Sequence, residues 1–160
     1  MGNQGQESNW LYLFMPRTKE GELITGVEFS NTTSTGGWNV PTQAMIDSYE
    51  PNDLRLDPSV AIAVGTIEND ALVVANVFKV GDPRINNYET ALPFVNKYRH
   101  THTNIFNTDD NWPVYRYSDA LLLMAECLVD QNRGAEAVPF VNRVRTRAGL
   151  PSVSVVTADV

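Results

Sequence analysis

The sequence predicts an antiparallel helical hairpin preceded by a long irregular region with short strands. Three observations carry this expectation. Two helical patterns fill residues 118–130 and 137–148, with a short link that contains Asn132-Arg-Gly134 between them. The first 113 residues instead hold short apolar runs, each cut off by Pro, Gly or a polar cluster. No internal repeat is visible in the 160 residues.

From the N-terminus, residues 10–15 (WLYLFM) form an apolar run stopped by Pro16 and are expected to be a strand or extended. Residues 23–29 alternate loosely and fit a strand as well. Residues 31–39 (NTTSTGGWN) are rich in Ser, Thr and Gly and predict an exposed loop ending at Trp38. Pro41 suits the start of a helix, and Met45, Ile46 and Tyr49 fall on one face of it before Pro51 ends it. Residues 60–67 and 72–80 are rich in Val, Ile and Ala and flank the polar Glu68-Asn-Asp70, which predicts a β-hairpin. Gly81-Asp-Pro83 is a turn, residues 94–102 are expected to be extended, and residues 103–111 form a polar loop.

The helical third is the clearest. Leu121, Met124, Ala125 and Leu128 sit at i, i+3, i+4 and i+7 and give one apolar helix face, with Ser118 as N-cap. Gly134 is expected at the C-cap, where left-handed backbone is needed. Ala137, Val138, Val141, Val144, Arg145 and Ala148 give the second helical pattern, stopped by Gly149 and Pro151. So short a link forces the helices antiparallel, as in one unit of a tetratricopeptide hairpin. Pro139 fits only a first helical turn, so the second helix either starts late or kinks there. Cys127 is expected to be an inert packing group of the first helix.

Composition excludes several function classes. There are 12 Lys and Arg against 19 Asp and Glu, a net charge of −7, which opposes a duplex-binding surface built on clustered cations. No apolar stretch approaches the roughly 20 residues that span a bilayer. The single cysteine cannot form an intrachain disulfide. The start MGNQGQES has neither the signal-peptide pattern nor, with Gln6 in place of Ser or Thr, the myristoylation pattern. Thr157-Ala-Asp159 resembles the opening of a helix, and the chain stops there, so a truncated piece of a longer protein is expected.

Catalysis is not expected, because no G-x-S-x-G and no glycine-rich phosphate loop occurs. His100 and His102 are a candidate metal pair that lacks further ligands at a recognisable spacing. Asp109-Asp110-Asn111 and Asn52-Asp53 offer oxygen atoms of the kind calcium takes, but neither has the calcium-loop spacing, so turn formation is expected and no cofactor. The binding candidates are aromatic. Trp38 beside Asn39, and Trp112 beside Asp109 and Asp110, combine a stacking face with hydroxyl-bonding groups, the mixture that sugar rings require. Trp10 and Tyr12, flanked by apolar neighbours, are expected in the core. Arg116, Arg143, Arg145 and Arg147 are expected to pair with Asp119, Glu126 or Glu136 and so fix the helical pair.

Three segments together resemble one family. PTQAMIDSYEPNDLR (41–55), YRYSDALLLMAECL (115–128) and FVNRVRTRAGLP (140–151) agree in order and spacing with the SusD/RagB-like outer-membrane nutrient-binding lipoproteins of Bacteroidetes. The positions that carry the likeness are Tyr49, Asp53, Arg55, Arg116, Tyr117, Glu126, Asn142, Arg145 and Arg147. The resemblance implies a mainly α fold with tetratricopeptide-like hairpins and a large irregular region, of which this chain is a fragment. Residues 1–160 are then part of one such domain: 1–113 irregular with short strands and one helix, 114–151 the hairpin, and 152–160 the start of a truncated helix.

The same resemblance implies a function. Members bind glycans (or, in some, peptides) at the cell surface, held to the outer membrane by a lipid anchor absent from this chain. They deliver the ligand to a TonB-dependent transporter and catalyse nothing. The expected partners are thus an oligo- or polysaccharide and that transporter, with no nucleic acid. The alternative is a helical-hairpin scaffold that binds only protein.

Overall fold

A computed structural model of the chain describes residues 8–28, 36–108, 110–111 and 113–157. These residues form a small α/β fold with a three-stranded antiparallel sheet, 36% helical and 20% strand, and this corrects the mainly α expectation. They divide into two compact units. One comprises the described residues of Met1–Tyr49 and Arg55–Asn111, the other those of Glu50–Leu54 and Trp112–Val160.

The first unit is built on the predicted hairpin. Strand β1 (Val60–Glu68) runs antiparallel to β2 (Ala71–Lys79) through Asn69 and Asp70, which take φ of 50° and 60°. Two left-handed residues in a two-residue loop match the twist of the strands they join. A third strand, β3 (Thr90–Val95), pairs with the other side of β1, giving the order β2-β1-β3. The extended segment expected at 94–102 therefore begins earlier and ends at Val95. Pro93 is compatible with this strand because β3 is an edge. The pairing of β1 with β2 slips between Val64 and Gly65. A Cβ on Gly65 would overlap the carbonyl of Val73, so this irregularity needs glycine.

Successive residues of β1 serve opposite faces. Ala61 and Ala63 join Leu72 and Phe94 in a cluster with Leu11, Tyr12, Met15 and Ile24. Ile62 and Val64 pack with Phe78 on the other face, against Val80, Ile85 and Tyr88. Ile85 lies within, and Tyr88 just after, a short 3₁₀ turn, Pro83–Asn87, which Asp82 caps by accepting from Arg84 N–H.

The run at 10–15 is helical instead of extended. Helix α1 (Trp10–Phe14) puts Leu11 and Met15 one turn apart into the core, and both are fully buried. A six-residue apolar run has no period that separates a buried strand from a buried helix, which is why the sequence misled. The same holds for α2 (Glu22–Thr25), a single turn closed by left-handed Gly26 where a strand was expected. Helix α3 (Gln43–Asp47) is the helix expected after Pro41, capped by the Thr42 side chain, which accepts from Met45 N–H at 3.2 Å. One turn, α4 (Leu56–Ser59), leads into β1.

The second unit is the helical hairpin, α5 (Tyr117–Asp130) and α6 (Gly134–Arg147). Ala125, Leu128 and Ala137 form its core with Val129, Phe140, Val141 and Val156. The N-cap of α5 is Arg116, not Ser118, because the Asp119 carboxylate accepts from Arg116 N–H at 3.1 Å. Asn132, with φ of 58°, is the left-handed residue that ends α5, and Gly134 opens α6. Glycine is needed at 134 for a different reason: a Cβ there would overlap the carbonyl of Val156. Pro139 lies inside α6 on its exposed side, so the helix starts early and runs through it. The end of α6 is a Schellman motif, with Gly149 N–H donating to Thr146 O and Leu150 N–H to Arg145 O. Residues 151–157 hold no helix, and Asp159 lies outside the described residues.

Candidate functional site

Trp38 is placed by the backbone on either side of it. The C-terminal carbonyls of a short helix have no partner within that helix. Here a strap of two glycines supplies partners: Gly37 N–H donates to Met15 O at 2.7 Å, and Trp38 N–H to Leu13 O at 3.0 Å. Gly36 makes the approach possible. Its φ is 114°, and a Cβ would come within 2.9 Å of Pro16 O and 3.0 Å of Met15 O. The main chain of Trp38 is therefore fixed to the end of α1 while its indole remains 66% exposed. Asn39 follows with φ of 50°, which turns the chain directly after the indole, and its side chain is exposed. An anchored, solvent-facing aromatic with a neighbouring amide can stack on an apolar ring face and exchange hydrogen bonds with hydroxyls.

Asp110 belongs to a different constellation. Its Oδ1 meets His100 Nε2 at 2.9 Å, and its Oδ2 accepts from the Thr108 hydroxyl at 2.6 Å. His102 Nδ1 donates to His100 O at 2.9 Å, and its Nε2 meets the Tyr12 hydroxyl at 2.7 Å. Tyr12 is fully buried, and burial holds its hydroxyl above the usual phenol range. His102 thus ties its segment to α1 through Tyr12, while Asp110 joins His100 to Thr108. No group of three His, Cys, Asp or Glu able to hold a metal ion occurs among the described residues.

The sequence candidates therefore separate. Trp38 and Asn39 adjoin, and no hydrogen bond among the described residues joins either to Asp110. Trp112 and Asp109 lie outside the described residues. Trp10 packs on the core and stacks with Phe14 at 6.0 Å, as its apolar neighbours predict. Cys127 is exposed on α5 and is not the packing group expected. Its neighbours on the core face, Ala125 and Leu128, take that role.

Seven of the nine positions that carry the family likeness lie in the second unit; Tyr49 and Arg55 belong to the first. Arg145 makes a two-pronged pair with Glu50, at 2.6 Å and 2.9 Å, and its Nε donates to Pro151 O at 2.7 Å. Leu54 N–H donates to Ala148 O at 2.9 Å, and the Leu54 side chain fills the space where Gly149 has no Cβ. The Asn142 side-chain amide grips the main chain of Val153, its Oδ1 accepting from Val153 N–H at 2.7 Å and its Nδ2 donating to Val153 O at 2.9 Å. Asp53 is buried, with its N–H donating to Glu50 O in the turn at Asn52. Tyr117 lies exposed and accepts from Arg143, whose guanidinium sits 5.0 Å from its ring centre. Arg116 pairs with Asp119, Tyr49 is half-buried after α3, and Arg55, Glu126 and Arg147 are exposed. The partner of Arg145 is thus Glu50, in place of the helix carboxylates expected. Sequence distance hid it, since ninety-five positions separate the two.

The bonds of Arg145, Asn142 and Leu54 hold the second unit together, and the solvent-facing aromatic lies elsewhere in the chain. The family model described as the SusD family matches residues 2–160. No curated protein and no solved structure matches the chain.

Proposed function

The chain belongs to the SusD family, and from that premise we propose that it binds a glycan without catalysis and takes part in nutrient uptake. The observation that carries the binding reading is Trp38, an indole two-thirds exposed on a backbone pinned by two hydrogen bonds and a close glycine contact. Pinning lowers the ordering cost of binding, because the stacking platform is already in place. Asn39 supplies the adjoining polar group. Asp109, Asp110 and Trp112 are proposed as a further polar and aromatic contribution. No metal or cofactor takes part in this mode of binding. The ligand passes to a TonB-dependent transporter at the outer membrane, where a lipid anchor holds the protein on the cell surface.

Titration calorimetry with a panel of polysaccharides tests the reading. The expected result is saturable heat with at least one glycan and about tenfold weaker binding in Trp38→Ala, equivalent to about 1.4 kcal/mol. Absence of heat across the panel, or unchanged binding in the variant, removes it. A second reading, a scaffold that binds only protein, is favoured by the exposed Leu122, Leu123 and Met124 on α5. Recovery of the transporter with no glycan response would select that reading instead.

A further inference from the structure

The two edges of the sheet are not equally protected. On β3, Pro93 removes a donor. At the far end of β2, the Asn76 side chain takes Val77 N–H at 2.8 Å. At its beginning, Leu72 N–H leaves the sheet and donates to Arg17 O at 2.7 Å, where Thr18 makes a single parallel bridge. That neighbouring strand goes no further, because the Thr18 hydroxyl turns back onto Glu20 O at 2.7 Å. Alternation along β2 points Val74 N–H the same way as Leu72 N–H, with no described residue to receive it. Beside this unguarded stretch runs a groove of about 740 Å³, within the size range of ligand sites. Val73 and Val74 lie along it, and Glu20, Glu22, Glu28 and Glu68 line it against the single ammonium of Lys19. None of these four carboxylates pairs with a described cation.

The geometry points to strand addition: an extended, lysine- or arginine-bearing segment of a partner protein lies along β2 at Val73–Val74, continuing the line that Arg17 and Thr18 begin. Main-chain bonds to the edge supply affinity, and alternate side chains meet the apolar wall and the acidic lining. Charge selects the occupant. A second copy of this groove would bring four more carboxylates onto the first. Residues 1–7 and 29–35 contain no Lys or Arg, so they do not supply the complement either.

The test is fluorescence anisotropy of the 160-residue chain with a labelled hexapeptide of alternating Lys and Val. Saturable binding that weakens with added salt is expected, with no binding of the Glu/Val counterpart. The Glu22→Lys/Glu68→Lys variant, with an unchanged melting temperature, should bind at least tenfold more weakly, and Glu22→Gln/Glu68→Gln should fall between. Methylating alternate backbone nitrogens of the peptide should also cost at least tenfold. Equal binding of the methylated peptide would reduce the effect to charge attraction and overturn strand addition. So would a failure of the Lys/Val peptide to bind, or a dimer in light scattering that the Lys variant abolishes. Trp38→Ala should leave peptide binding intact, which keeps this result separate from the glycan test.

Discussion

At Arg145, one guanidinium holds three segments: its own helix, the turn at Glu50 and the carbonyl of Pro151. Its side chain is 20% exposed, and Glu50 is 47% exposed, so solvent weakens the pair without removing it. Arg145→Ala is expected to cost about 1–2 kcal/mol, since a two-pronged charged bond is lost and a carbonyl is left without its donor. Arg143→Ala removes an exposed contact with Tyr117 and should cost about 0.5 kcal/mol. Urea denaturation of both variants checks this, and equal midpoints would contradict it. Asp82 gives a pH dependence. Arg84 donates to it from side chain and main chain and holds its carboxyl down at about 2. The folded value lies below the unfolded one of about 3.9, so the contribution is present above that pH and is lost as pH falls toward 2. Asp82→Asn should flatten the acid limb of a melting-temperature profile between about pH 4 and 2, and an unchanged limb would show that other carboxylates dominate it.

Among the elements, the β1–β2 hairpin depends on a single residue for its irregular pairing. Gly65 sits where the ladder slips, against the Val73 carbonyl. Gly65→Ala should destabilise by about 1–3 kcal/mol, because a backbone atom, unlike a side-chain tip, has to move. Thermal melting followed by circular dichroism reads this, and a melting temperature equal to that of the native chain would refute the close approach. The hairpin was legible because its signals are local: β-branched residues on either side of Asn-Asp. The α5–α6 pair was legible for the same reason, its apolar period being sustained over fourteen residues in each helix. Helices α1 and α2 were not, since five and four residues hold too little of either period.

Over the whole molecule, the strands of residues 60–95 turn what read as an irregular region into a second kind of architecture. The family resemblance rested on motifs that belong mostly to the helical unit, and it pulled the expected class toward helix. β3 and the 3₁₀ turn before it carry no such motif. The candidate site was half legible: an exposed Trp38 could be expected from its loop, but the Gly36-Gly37 strap that pins it depends on α1, which the sequence misread. Because stacking and amide bonds need no ion, EDTA should leave the glycan affinity unchanged in calorimetry. A loss on chelation would instead point to calcium at the acidic loop.

Residues 50–54 belong to the helical unit, although both neighbouring stretches of chain belong to the other. The polypeptide therefore enters that unit twice. An excised piece beginning at residue 112 would carry both helices and still be incomplete: Arg145 would have lost Glu50, the Ala148 carbonyl its donor, and Gly149 the side chain that covers it. Five residues in the middle of the chain thus set where it can be cut, and a minimal helical piece must carry them, joined by a linker or supplied as a peptide.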